Sequence, residues 1–351
     1  MNFPETFSIA PLDFNAMQRA KERWHNIAIP LDSLGKLQDI IVQCAGIFAD
    51  DCVDLHKKAT LVLCADNGIV AQGISQSGQE ITRIVAENMT CDKATIALLN
   101  AQHGAKVFVV DIGMATDSEN PAILRKKSMR GTNDFSQQNS MSRAEAQQAI
   151  ETGISLVKML KEDGYRLIAT GEMGIGNTTT SSAVLAVLLN KPAAEVTGRG
   201  AGLSSAALQH KIALIDAAIA QHQPSASDML DLLSKVGGLD IAGLAGVFLG
   251  GAIYRVPVVM DGFISCTAAL VASKINPAVK DYLFASHVSA EPAGQMVLDA
   301  LGLEAMLHLN MRLGEGSGAA MAFPIFETAN MIYHQMSDFK EIQIAPYQPL
   351  A

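Results

Sequence analysis

Five times along this chain a short apolar run breaks off at a polar residue or a glycine. Ala59–Ala65 ends at Asp66-Asn67-Gly68, Ala105–Val110 at Asp111-Ile112-Gly113, and Arg166–Thr170 at Gly171-Glu172. Pro257–Met260 ends at Asp261-Gly262, and Tyr282–Ala285 at Ser286-His287. Continuous apolar runs of strand length read as strands covered on both faces, the situation of a parallel sheet between helical layers. Helical patterning fills the intervals, so the rhythm predicts an open parallel α/β sheet. In such sheets ligands sit beyond the carboxyl ends of the strands. All five strand ends are therefore expected to face one crevice.

The chain has 351 residues, 49% of them hydrophobic and 17% charged, enough to build a large core. A net charge of −9, with no basic run and no interleaved aromatic stripe, argues against general nucleic-acid binding. An anionic substrate would have to be held by local lysines, arginines and backbone amides against that field. The longest uncharged apolar run, Ile241–Tyr254, has 14 residues, four of them glycine. A bilayer span needs about 20, so this run reads as a buried helix and no membrane partner is expected. Cys44, Cys52, Cys64, Cys91 and Cys266 form no CxxC pair, and Cys64 and Cys266 stand in apolar stretches as core residues would. Met1–Phe7 lacks a basic region followed by an apolar one, so no secretion signal is read and the cytoplasm is the expected location.

Helical spacing at Leu34, Leu37, Ile40, Ile41 and Cys44 predicts helix in the region up to about residue 57, entered through the loop Pro30–Lys36. The tail from Pro324 to about Met336 is also helical in pattern and is expected to pack with that N-terminal helix. Asp117–Ser142 is polar and without periodicity, which predicts a functional loop.

The third strand leads into Gly171-Glu-Met-Gly-Ile-Gly-Asn-Thr-Thr-Thr180 and then an apolar helix. A glycine-rich turn of this kind aims free backbone N–H groups and a helix N-terminus at one spot, which suits a phosphate, and Glu172 adds a carboxylate there. It half-matches a P-loop, with Asn177 where the lysine belongs, and a dinucleotide fingerprint, with Thr179 in place of the last glycine. Taken alone it also reads as a plain strand-to-helix connection.

Four more segments are rich in glycine and polar groups. They are Gly73–Glu80, Thr197–Leu203 with Arg199 and the later Lys211, Ser286–Pro292, and Arg312–Gly318. In the last, Glu315 sits between glycines beside apolar neighbours. Desolvation there would raise its pKa and suit it to act as a general base, although an exposed turn glutamate reads equally from the residues. The Thr197–Leu203 segment reads either as a second anion turn or as a surface loop. No HxxxH pair or Cys/His cluster points to a metal, His287 reads as a hydrogen-bonded structural residue, and no GxSxG elbow suggests acyl transfer.

Together these blocks resemble the nicotinate-nucleotide–dimethylbenzimidazole phosphoribosyltransferase family. The matching residues are Ala65–Gly68, Gln79-Glu80, Val110–Gly113, Gly171–Thr180, Val196–Gly200, Val258–Ile264, Ser286–Pro292 and Leu313–Gly318, in family order. The resemblance implies transfer of the phosphoribosyl group from nicotinate mononucleotide to a lower-ligand base. The leaving pyridinium nitrogen is already cationic, so its departure needs neither acid nor metal, and no cofactor is implied. The incoming benzimidazole must lose a proton, which Glu315 would accept as catalytic base, and attack from the far face would invert the sugar from β to α.

By the same resemblance Glu172, Gly174, Gly176, Asn177, Thr178 and Arg199 bind nicotinate mononucleotide. Lys211 would contact its phosphate, and Ser289 would reach it from a neighbouring subunit. Ser75, Ser77, Gln79 and Leu313 would border the acceptor. Where family members that use dimethylbenzimidazole carry Tyr-Pro, this chain has Ser77-Gly78, so a related benzimidazole, a purine or a phenolic acceptor stays open, as does hydrolysis by water. The implied fold is α/β, an open parallel Rossmann-like sheet flanked by helices. Residues 58–324 would form a large domain, and 1–57 with 325–351 a small helical domain built from both chain ends. The implied assembly is a homodimer, or a pair with a paralogue.

Overall fold

Strand β1 (Lys58–Ala65) is buried along its whole length and lies at the middle of a six-stranded, wholly parallel sheet. Its partners are β2 (Lys106–Gly113), with the two-residue β3 (Leu124–Arg125) beyond it, and β4 (Leu167–Met173), followed outward by β5 (Val258–Met260) and β6 (Leu283–Ala285). The order β3-β2-β1-β4-β5-β6 reverses direction at β1, so the crevice of such a sheet falls beside it. The structure is a computed structural model and describes residues 8–347. Met1–Phe7, read above for a secretion signal, lie outside the described residues, as do residues 348–351.

The helices complete the layers. From the N-terminus they are α1 (Phe14–Asn26), α2 (Lys36–Phe48), α3 (Glu80–Met89), α4 (Thr95–Gln102) and α5 (Arg143–Glu162). Then follow α6 (Asn177–Leu189), α7 (Ala193–Val196), α8 (Ser205–His222), α9 (Met229–Val236) and α10 (Leu239–Tyr254). The last are α11 (Phe263–Ile275), α12 (Gly294–Leu301), α13 (Ser317–Met321) and α14 (Phe323–Gln335). Helix α10 is buried on every side through Ala252, as its uncharged run from Ile241 requires. It presses against α5 so closely that a methyl group on Gly153 would run into the Gly243 carbonyl. Among the described residues no helix is long and apolar enough to cross a membrane.

All five expected strands are present, but three expectations around them change. Strand β4 runs on through Gly171, Glu172 and Met173, which pair with Val62, Leu63 and Cys64 of β1. Backbone pairing tolerates a glycine and a glutamate there because neither is asked to fill the core. The polar segment Asp117–Ser142, expected to be a functional loop, contains the short edge strand β3 and lines no part of the cavity described below. It straps the sheet instead: Thr132 N–H donates to the Asp66 carbonyl (2.9 Å) and Gly131 N–H to that of Gly113 (3.0 Å), while Lys127 pairs with Asp111 and Asp117. Helix at the N-terminal end stops at Phe48, where Ala49 turns left-handed, so residues 49–57 are loop.

The chain ends meet as the patterns predict. Trp24 of α1 and Tyr333 of α14 pack ring against ring, 5.2 Å between centroids, and Phe339 N–H donates to the Asn26 carbonyl (3.0 Å).

Candidate active site

A cavity of about 270 Å³ opens over the carboxyl ends of β4, β5 and β6. Only three of the five strand ends reach it. Asp66 and Asp111, at the ends of β1 and β2, are used to hold loops. Asp66 accepts from the Thr82 hydroxyl (2.6 Å) and the Ala115 N–H (2.7 Å), and Asp111 accepts from the Met114 N–H (2.8 Å).

The glycine turn is shorter than its sequence suggests, because β4 claims its first residues. Gly174-Ile175-Gly176 alone connects β4 to α6, and Gly176 caps the helix in the left-handed region, φ 93°. Asn177 and Thr178 at the N-terminus of α6 line the cavity, so the positive end of that helix faces it, although the Asn177 and Thr179 N–H groups themselves turn back onto the Gly174 (3.0 Å) and Gly176 (2.9 Å) carbonyls. Lys211 arrives from α8. Its side chain is 1% exposed, and its Nζ donates to Thr178 Oγ1 (2.8 Å) and to the Gly198 carbonyl (3.4 Å). Burial pushes the ammonium pKa down to about 8, against the opposing pull of Glu291. A cation and a helix N-terminus thus converge on one corner, the arrangement that binds a phosphate. Arg199 lines the same corner but is committed to its own loop, donating to the Leu203 carbonyl (2.8 Å) and Ser205 Oγ (3.0 Å).

Glu172 lines the cavity as expected, yet not as the simple carboxylate read from the sequence. Burial raises its pKa to about 8, helped by the nearby charges of Asp240 and Asp261, with Glu315 adding to them. It is mostly protonated at neutral pH. Asn177 Nδ2 donates both to Glu172 Oε2 and to Asp240 Oδ2, the latter at 3.0 Å.

Glu315 lines the same cavity, in a turn packed beside Glu172. Three consecutive residues, Gly314 (φ 80°), Glu315 (φ 63°) and Gly316 (φ 83°), are left-handed, a conformation that a glutamate adopts only at a cost. The turn lies directly on the backbone of β4: a methyl group on Gly171 would sit 2.7 Å from the Gly316 nitrogen. Burial, and secondarily the Asp261 charge, raise the Glu315 pKa above the ordinary glutamate range. Asp261, at the end of β5, is wholly buried beneath this turn and accepts from the N–H groups of Gly316 (3.0 Å), Gly318 (2.8 Å) and Ala319 (3.1 Å).

Of the four residues assigned to the acceptor, Ser75 and Leu313 line the cavity while Ser77 and Gln79 do not. Gln79 turns back to donate to the Asn67 carbonyl (3.1 Å), and the Ser77 N–H closes a turn on Ser75 Oγ (3.2 Å). Gln76, not singled out from the sequence, lines the mouth and donates to the Gly202 carbonyl (2.6 Å), joining the two glycine loops. Ser289, expected to act across a subunit boundary, is buried on the cavity wall of its own chain. His287 shares Nδ1 with Ser286 Oγ (3.0 Å), as a structural histidine would, but its ring also borders the cavity; burial lowers its pKa and Asp261 opposes that.

Asp240, Asp261, Glu291 and Arg312 were also missed. Asp261 ends an apolar strand and precedes a glycine, and Glu291 and Arg312 stand in two of the polar glycine-rich segments, whereas Asp240 carries no such mark. Among the described residues no group of three or more His, Cys, Asp or Glu side chains is arranged to hold a metal ion.

The geometry has close counterparts. A family model described as phosphoribosyltransferase matches residues 9–344. The nicotinate-nucleotide–dimethylbenzimidazole phosphoribosyltransferase of Clostridium acetobutylicum is 46% identical over 339 residues, 97% of this chain and 96% of that protein. The enzyme of the same name from Acetivibrio thermocellus is 46% identical over 351 residues, 99% of each. The crystal structure of CobT from Thermus thermophilus superposes with a TM-score of 0.89 at 34% identity, covering 95% of this chain and all of that one.

Proposed function

The chain belongs to the nicotinate-nucleotide–dimethylbenzimidazole phosphoribosyltransferase family, and we infer that it moves the phosphoribosyl group of nicotinate mononucleotide onto dimethylbenzimidazole or a related lower-ligand base. The products are nicotinate and an α-ribazole phosphate, as cobalamin nucleotide-loop assembly requires. One observation carries the inference. A single cavity holds a phosphate corner, built from Lys211 and the α6 N-terminus, and a desolvated carboxylate, Glu315, facing the space between.

The steps follow from these positions. The 5′-phosphate of nicotinate mononucleotide docks at Lys211, Thr178 and the positive end of α6, with Ser289 and Arg199 beside it. Gly174 and Gly176 let the backbone come close, while Asn177 and the protonated Glu172 offer hydrogen bonds toward the ribose. The bond between C1′ and the pyridinium nitrogen breaks, and its electrons neutralise that nitrogen. A lone pair of the acceptor nitrogen forms the new bond to C1′ from the opposite face. The acceptor's other N–H gives its proton to Glu315, whose raised pKa favours acceptance near neutrality. Ser75 and Leu313, with Ile74 and Phe263, offer a mainly apolar setting for a flat acceptor ring.

The same reading includes a cytoplasmic homodimer, or a pair with a paralogue, and the two-part organisation with a helical domain from both chain ends. Light scattering of the purified protein tests the assembly. The function is tested by following nicotinate release from nicotinate mononucleotide with dimethylbenzimidazole, benzimidazole, adenine, phenol or p-cresol, and with no acceptor. Release that needs one acceptor and fails in Glu315→Gln supports transfer and identifies the base. Equal release without acceptor would make the protein a hydrolase, and no release at all would overturn the single-chain enzyme.

A further inference from the structure

Asp261 is the most deeply committed charge in the molecule that the transfer chemistry leaves without a task. It is buried on the cavity wall, no lysine or arginine among the described residues forms an ion pair with it, and the imidazole that faces it, His287, has its own charge disfavoured by burial. A carboxylate is taken out of water in this way only when other donors replace its hydration. Its donors are all backbone: Oδ2 takes the Gly316 N–H, and Oδ1 takes those of Gly318 and Ala319. All three belong to the segment that carries Glu315. The Asp261 backbone is itself tied down, its N–H shared between Thr170 Oγ1 (3.3 Å) and Ser265 Oγ (3.2 Å), two hydroxyls 2.6 Å from each other.

We propose that Asp261 is the positioning residue of the reaction: its carboxylate gathers three N–H groups of the 316–319 backbone and so holds the left-handed turn that aims Glu315 at the acceptor. The inference rests on the transfer reading and deepens it. Three left-handed residues in a row do not persist in water without an outside tether. The Gly171 contact gives the turn a floor, and Asp261 gives it the tether. Asparagine at 261 has nearly the same shape but offers one accepting oxygen for three donors, and its NH2 would meet an N–H head-on.

The experiment is a double-mutant cycle on the full-length protein with nicotinate mononucleotide and its best acceptor. Asp261→Asn is expected to lower kcat on the order of 100-fold, the effect of misplacing a reacting group by about 1 Å. The KM for nicotinate mononucleotide should change little, because the phosphate corner is untouched. In a Glu315→Gln background the same substitution should cost no more than about threefold, since a residue acting only through Glu315 has nothing left to position. Full additivity, or a loss confined to KM, overturns the proposal.

If Asp261→Asn does not fold, Thr170→Val loosens the same aspartate from behind. It should lower kcat roughly tenfold in the parent and not in Glu315→Gln; an equal loss in both backgrounds overturns the proposal. Hydrogen exchange of the Gly316, Gly318 and Ala319 amides separates this idea from the transfer reading. Exchange in the variant faster by roughly tenfold or more than in the parent supports the tether even if no acceptor releases nicotinate. Unchanged exchange sinks it even if transfer is robust.

Discussion

Lys211→Met should make the unliganded protein more stable while weakening its hold on nicotinate mononucleotide. The lysine is 1% exposed, and burial takes its pKa from 10.5 to about 8. At about 1.36 kcal/mol for each pH unit, that fall means the native state bears a penalty of roughly 3 kcal/mol for keeping the ammonium charged near pH 7. Methionine has a similar length and no charge, so the penalty disappears. With an unfolding entropy near 2.1 cal/mol/K per residue and 351 residues, 3 kcal/mol corresponds to a Tm higher by about 4 °C.

The sign with pH is fixed. A lysine whose folded pKa is lowered destabilises the fold below about 8, where both states bind the proton. The penalty then fades between about 8 and 10.5, where only the unfolded chain stays protonated. Chemical denaturation at pH 7 and pH 9.5 should therefore show the variant's advantage fall by about half. Saturating nicotinate mononucleotide should reverse the ranking, because only the parent keeps the Lys211 ammonium for the phosphate. A variant less stable than the parent at pH 7, or an advantage that does not narrow with pH, would refute the reasoning.

Other outcomes follow from particular residues. Because the Glu315 pKa is raised, kcat should fall on the acid side at a pH above the ordinary glutamate range, and this limb should be missing in the residual activity of Glu315→Gln, as a pH–rate profile will show. Gly153→Ala should destabilise the protein by about 1–3 kcal/mol, toward the upper end because the methyl meets the Gly243 carbonyl, which cannot rotate away; urea denaturation measures this. An aromatic disulfide reagent should titrate Cys52 and Cys91 quickly in the native state, and all five thiols only after unfolding. Burial pushes the thiols of Cys44, Cys64 and Cys266 up and keeps them unreactive.

The parallel sheet is legible in the sequence because its strands are buried on both faces and so must be continuously apolar. Strand β3 leaves no such mark, being two residues long at an edge where Arg125 is exposed. Gly171 reads as part of a turn and is a strand residue. Its lack of a side chain answers to Gly316, far away in the chain, and a local pattern carries no sign of that contact. The same limit hides Asp261: its partners are N–H groups, which every residue but proline possesses. Glu315 stands out because a charge between glycines is uncommon, and Lys211 because it follows the glycine segment Thr197–Leu203 by two helical turns and the resemblance gives it a phosphate. Ser77 and Gln79 fall to the acceptor by resemblance of a loop, yet neither borders the cavity, and the Gln79 amide is turned onto the Asn67 carbonyl.

The turn bearing Glu315 rests on the main chain of a central strand, with no layer of side chains between them. The proposed base, mounted this way, should have no melting transition of its own, because loosening it requires disturbing β4 itself. Heat should therefore leave turnover per folded molecule intact until the sheet unfolds, so that loss of activity and loss of structure follow one curve.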